Sequence, residues 1–158
     1  MSFLKRLFSK PTEQPEQPSE FFREDAPEWL ITLTEDLADG SSIEVRLSLF
    51  ASTRSGSAQV ITRSGGELKQ SVQVDATRQE FDRLMVILGF SFPNEVNPVP
   101  AGTDEAFVTI TVCKREPFFR RGGKCNLNGW LDSRKPGPPL IEIGMIVTGI
   151  KRRGLPGS

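Results

Sequence analysis

Histidine and tyrosine are absent from the 158 residues, and cysteine occurs only at Cys113 and Cys125. Without histidine the chain lacks the usual general base near neutral pH, the usual partner of a Ser or Cys nucleophile and the commonest metal ligand. A Ser-His-Asp or Cys-His hydrolase and any histidine-bearing zinc site are therefore excluded within this chain. The two thiols have eleven residues between them and form no Cys-x-x-Cys pair. They supply at most half of a zinc site, so neither a metal nor a cofactor is expected. They are also too few for a disulfide-dense secreted scaffold. No apolar run is long enough for a transmembrane helix, and no charged N-terminal region leads into a long apolar stretch. The expected setting is reducing and cytoplasmic.

There is no excess of either charge: 20 Lys plus Arg balance 20 Asp plus Glu. The distribution is uneven, with residues 1–10 at +3, 11–50 at −8, 51–112 at −2 and 113–158 at +7. The chain is acidic in front and basic behind, which directs attention to local partners rather than to a whole-protein field.

Four regions follow from the composition. Residues 1–10 place Phe3, Leu4, Leu7 and Phe8 on one helical face and Lys5, Arg6, Ser9 and Lys10 on the other. So short an amphipathic helix needs a surface to fold against, whether an anionic membrane, a partner or the body of the protein. Residues 11–27 form an acidic linker in which Pro11, Pro15, Pro18 and Pro27 break any helix or strand. Fully stretched it reaches roughly 50 Å. Phe21 and Phe22 interrupt its polarity and read as the first residues to settle on the folded body, or else as a short docking motif. Residues 28–153 are expected to form a single α+β domain, with 154–158 a frayed tail behind the flexible leader.

Within that domain, Trp29 to Leu37 and Ser42 to Phe50 flank Ala38-Asp39-Gly40-Ser41, a hairpin signal. Ile43, Val45, Leu47 and Leu49 alternate with Glu44, Arg46 and Ser48, so one face is buried and the other wet, as in an antiparallel sheet. A second hairpin joins 57–63 to 67–74 through Ser64-Gly65-Gly66. A helix begins near Thr77, which forms a capping box with Glu80 and carries Phe81, Leu84, Met85 and Leu88 on one stripe. Val86 and Ile87 fall outside that stripe and make the end of helix 77–88 a candidate self-association surface. After a proline-rich loop over 89–105, residues 106–112 alternate as a strand and 140–150 are apolar enough for a central strand. The expectation is a mainly antiparallel sheet of about six strands, two N-terminal hairpins included, covered by one principal helix.

The stretch 113–139 is far longer than a hairpin needs, and long connections in compact domains often carry function. It sets Lys114, Arg115, Arg120, Arg121, Lys124, Arg134 and Lys135 against only Glu116 and Asp132, with Phe118, Phe119 and Trp130 among them. Arg and aromatic residues dominate protein interfaces, and cations interleaved with rings also suit single-stranded nucleic acid. The bland alternative is a solvated basic loop whose rings pack inward. Cationic neighbours would favour the thiolate of Cys125, and the six acidic residues between Glu13 and Glu28 have the reach to mask the basic loop. The acidic pairs Glu24-Asp25, Glu35-Asp36 and Asp104-Glu105 read as turn and edge charges, because neighbours on a strand point to opposite faces.

The sequence thus points to a non-enzymatic protein-interaction module. Its partner-binding residues would be Arg115, Phe118, Phe119, Arg120, Arg121, Lys124 and Trp130, with Phe3, Leu4, Lys5, Arg6, Leu7 and Phe8 as a second contact to a partner or membrane. The alternative is a peripheral membrane or nucleic-acid-associated protein using the same segments. A third is an enzyme built on Cys125 or on carboxylates that only the fold brings together.

Overall fold

The computed structural model describes residues 17–90, 108–125, 127 and 139–155. Six strands form one antiparallel sheet: β1 (Trp29–Asp36), β2 (Ser41–Phe50), β3 (Ser55–Ser64), β4 (Glu67–Asp75), β5 (Val108–Lys114) and β6 (Phe119–Cys125). Their spatial order is β4-β3-β2-β1-β5-β6, so among the described residues β4 and β6 are the edges. Two helices, α1 (Arg78–Phe90) and α2 (Pro139–Arg153), lie on one face, and a short 3-10 turn, Ser19–Phe22, lies on the other. The α+β class, the antiparallel sheet and the two N-terminal hairpins are those anticipated from the residue pattern.

Alternation decides the two faces. In register across the sheet, Leu33 pairs with Val45 and Ile110, and Val45 pairs with Val60. These side chains, with Ile31, Leu47 and Leu49, are enclosed by Phe81, Leu84 and Leu88 of α1 and by Leu140, Ile143, Val147 and Ile150 of α2. α1 begins as the capping box requires: the Glu80 N–H donates to Thr77 Oγ1 at 3.1 Å, and the Thr77 N–H donates to Glu80 Oε1 at 2.8 Å. Arg153, at the end of α2, clamps the same Glu80 carboxylate with both terminal nitrogens at 2.8 and 2.7 Å. Burial alone would raise the Glu80 pKa, but the Arg153 and Thr77 hydrogen bonds and the Arg153 charge outweigh it and hold it below its ordinary value. Lys151 reaches across to Glu35 at 2.7 Å, neutralising a carboxylate that alternation turns toward the covered face.

Two segments depart from the expectation. Residues 140–150 are helix, not strand. Their buried positions Leu140, Ile143, Val147 and Ile150 recur at helical spacing, but Ile141 and the partly buried Ile146 beside them and Met145 on the outer side fill in the pattern and disguise its period. Gly144 is required there by close packing: a Cβ would sit 2.6 Å from Ile110 Cδ1 and 2.9 Å from Leu127 Cδ2. The sixth strand is instead Phe119–Cys125, inside the stretch expected to be a loop. Residue 87 is also corrected: Ile87 is buried, whereas Val86 remains half exposed at the position proposed for self-association.

Candidate functional site

The strand register arranges the open face of the sheet in three rows that cross all six strands. One runs Gly122, Thr111, Thr32, Arg46, Gln59 and Gln73; the next runs Arg120, Cys113, Leu30, Ser48, Ser57 and Asp75; the third runs Lys124, Thr109, Thr34, Glu44, Ile61 and Ser71. Most positions are polar, and no helix among the described residues covers this side, although Ile61 in the third row is buried.

A small apolar cluster lies on this face beside the β5–β6 hairpin. Phe21 of the leader turn is buried against Leu30, Cys113 and Phe118, and its ring meets that of Phe118 edge to face at 6.2 Å between centroids. Phe22 stays 74% exposed, so of the two adjacent aromatics only the first settles on the body. Glu20 pairs with Arg46 at the same place. Burial would raise the Glu20 pKa, but hydrogen bonds from its own backbone N–H and from Ser19, together with the Arg46 and Arg23 charges, hold it below the ordinary value. Glu28 binds Arg115 twice: the Arg115 Nη2 donates to Glu28 Oε1 at 2.7 Å and the Arg115 N–H to the Glu28 carbonyl at 3.0 Å.

The residues that the sequence groups as a partner site divide between the two faces of this hairpin. Phe119 lies on the helix side, edge to face with Trp29 at 5.7 Å between centroids. Lys114 stands over the Trp29 ring at 5.4 Å, and the Arg121 guanidinium over Phe119 at 5.2 Å. Phe118, Arg120 and Lys124 lie on the open side, where the Arg120 Nε donates to Cys113 Sγ at 3.5 Å. Arg115, in the turn between the strands, has a buried Nε without a hydrogen-bond partner among the described residues. Trp130 and the segment Phe3, Leu4, Lys5, Arg6, Leu7 and Phe8 lie outside the described residues. So do Arg134, Lys135 and Asp132 of the basic stretch.

Two features of β6 shape this edge. Arg120 and Lys124 are exposed on one face, four residues apart, which on an extended strand is about 13 Å. Between them Gly122 presses on the neighbouring strand, where a Cβ would fall 2.0 Å from the Ile110 carbonyl oxygen. The two cations therefore flank a notch that no larger residue can fill.

A second feature escapes the sequence altogether. The leader turn stands as a wall over the polar rows, leaving a groove of about 350 Å3 lined by Ser19, Glu20 and Arg23 on one side and by residues of β2, β3 and β4 on the other. Its lining residues are scattered between positions 19 and 73, with no shared motif to announce them.

Among the described residues no group of three or more acidic, Cys or His side chains converges on a point that would hold a metal ion, and no helix is long and apolar enough to cross a membrane. No family model matches the chain, and neither a curated protein nor a solved structure matches it.

Proposed function

We propose that the β5–β6 hairpin is the docking edge of a non-enzymatic interaction module, and that its partner is an extended acidic segment of another protein. The observation that carries this reading is the edge strand itself, with exposed Arg120 and Lys124 flanking the Gly122 notch on one face and Arg121 on the other. A partner strand laid along β6 meets a cation on either face. Carboxylates four residues apart in that partner match the spacing of Arg120 and Lys124, since both chains are extended.

The aromatic residues support a polypeptide over a single-stranded nucleic acid. Stacked bases need presented ring faces, whereas Phe118 and Phe119 are engaged edge to face by Phe21 and Trp29. These ring pairs brace the hairpin that carries Arg120, Arg121 and Lys124.

Fluorescence anisotropy tests the proposal with a labelled extended peptide bearing Glu at every fourth position, its Gln counterpart and a single-stranded oligonucleotide of equal charge. The Glu peptide is expected to bind, with affinity falling on the order of tenfold when Arg120, Arg121 and Lys124 are changed together to Ala. Equal binding by the triple variant, or tighter binding of the oligonucleotide, contradicts the proposal.

A further inference from the structure

The groove under the leader turn is separate from the hairpin edge, and its chemistry is different. Arg46, Gln59 and Gln73 occupy one row on adjacent strands, so guanidinium and amide groups repeat at the interstrand pitch of about 4.8 Å. Ser57 belongs to the neighbouring row and accepts a hydrogen bond from Gln73 Nε2 at 3.0 Å. The amides and the hydroxyl both donate and accept, while the guanidinium only donates, and together they suit a ligand bearing hydroxyls on adjacent carbons. Phe50 adds one apolar wall against which a ring's C–H face can rest.

The charge of the lining narrows the class further. Two guanidiniums, Arg23 and Arg46, face a single carboxylate, Glu20, and that carboxylate is already paired with Arg46. One positive charge is left over, on the Arg23 side. A groove of about 350 Å3 is at the small end of ligand sites and suits a single sugar ring rather than a nucleotide or a drug-sized apolar molecule.

We propose that this groove binds a monoanionic sugar of the uronic acid class. The ring hydroxyls are held by Gln59, Gln73 and Ser57, and the carboxylate by Arg23. The groove owes one wall to the docking of Ser19–Phe22, which Phe21 and the Glu20–Arg46 pair hold in place. Binding is therefore linked to the seating of that turn, and ligand and turn stabilise one another.

Titration of the full chain with glucuronate, glucose and inorganic phosphate, followed by amide chemical shifts, tests the proposal. Glucuronate is expected to shift the amides of Ser48, Gln59 and Gln73 saturably, with a dissociation constant on the order of 1 mM for a ligand of this size. Glucose should bind roughly tenfold more weakly, because it lacks the charge-assisted bond to Arg23. Both Arg23 and Gln59 are exposed, so Arg23→Ala and Gln59→Ala leave the fold intact. The first should erase the preference for glucuronate, and the second should weaken both sugars. The proposal is overturned if glucuronate gives no saturable shift, or if phosphate alone reproduces it at equal affinity. It is overturned equally if the glucuronate preference survives in Arg23→Ala.

Discussion

On the covered face of the sheet Ile31, Leu33, Val45, Leu47 and Ile110 have no exposed surface, while their chain neighbours Thr32, Thr34, Glu44, Arg46 and Thr109 line an open polar face. The backbone is common to both sets and the pairing partners are the same, so the difference lies in what covers each side. Two helices supply the apolar cover on one side. On the other, among the described residues, the Phe21 ring covers a patch of three residues and most of the polar positions stay at least partly exposed. Stability is thus concentrated on one face, and the freedom to present cations, amides and hydroxyls is kept on the other.

The largest expected effect comes from opening the covered face. Ile110→Ala removes a side chain with no exposed surface from beneath α2 and is expected to cost about 2–5 kcal/mol, read as a lowered urea midpoint with an unchanged slope. Gly144→Leu attacks the same contact by overpacking, since even a Cβ there collides with Ile110 and Leu127. A normal midpoint in either variant would mean that α2 does not rest on β5.

Next in size is the cap on the open face. Phe21→Ala is expected to cost roughly 1.5–3 kcal/mol, bounded by the value of burying one aromatic side chain. Its more specific signature is exposure of Cys113, which is now 3% accessible. Peptide-level mass spectrometry after brief thiol alkylation should show Cys113 modified far faster in the variant, and an unchanged rate would contradict the packing described.

The junction between the helices is expected to set part of the acid sensitivity. Glu80 is held below its ordinary value of 4.5, so its contribution to stability is complete above that value and is lost as pH falls through the lower folded value. Glu80→Gln keeps the capping hydrogen bonds but removes the charge that Arg153 clamps, and should lower stability near pH 7 by about 1 kcal/mol. Below about pH 4.5 the gap between variant and parent should close. Stability curves that stay parallel down to pH 3 would remove Glu80 from the account.

The smallest effect belongs to the open face itself. Thr109→Ala, one residue from Ile110, is expected to change stability by no more than about 0.5 kcal/mol. A larger loss would show that this side, too, is covered in the folded protein.

Much of this division was legible from residue order. Asp39-Gly40 and Gly65-Gly66 mark both N-terminal hairpins, the alternation from Ile43 to Leu49 assigns the faces of β2, and Thr77 with Glu80 marks the start of α1. These are local signals, set by turn chemistry and by neighbours two to four residues apart. The segment from Leu140 to Ile150 carries no such signal, because an apolar run bounded by glycine and proline fits a buried strand as well as a buried helix. Phe119 to Cys125 has two central glycines and no alternation, so nothing in it announces a strand. Of the candidate site, the basic and aromatic residues were visible as a group, but their separation onto two faces was not.

The sequence by itself determined the class of the fold, the faces of its first strands and the absence of histidine chemistry, since each follows from composition or short-range period. Only the tertiary structure decided that residues 119–125 complete the sheet, that 139–153 cover it and that Phe21 rather than Phe22 is the cap. Those choices rest on contacts between segments far apart in the chain, such as Gly144 on Ile110 and Phe21 on Cys113. No local pattern encodes whether two surfaces will fit.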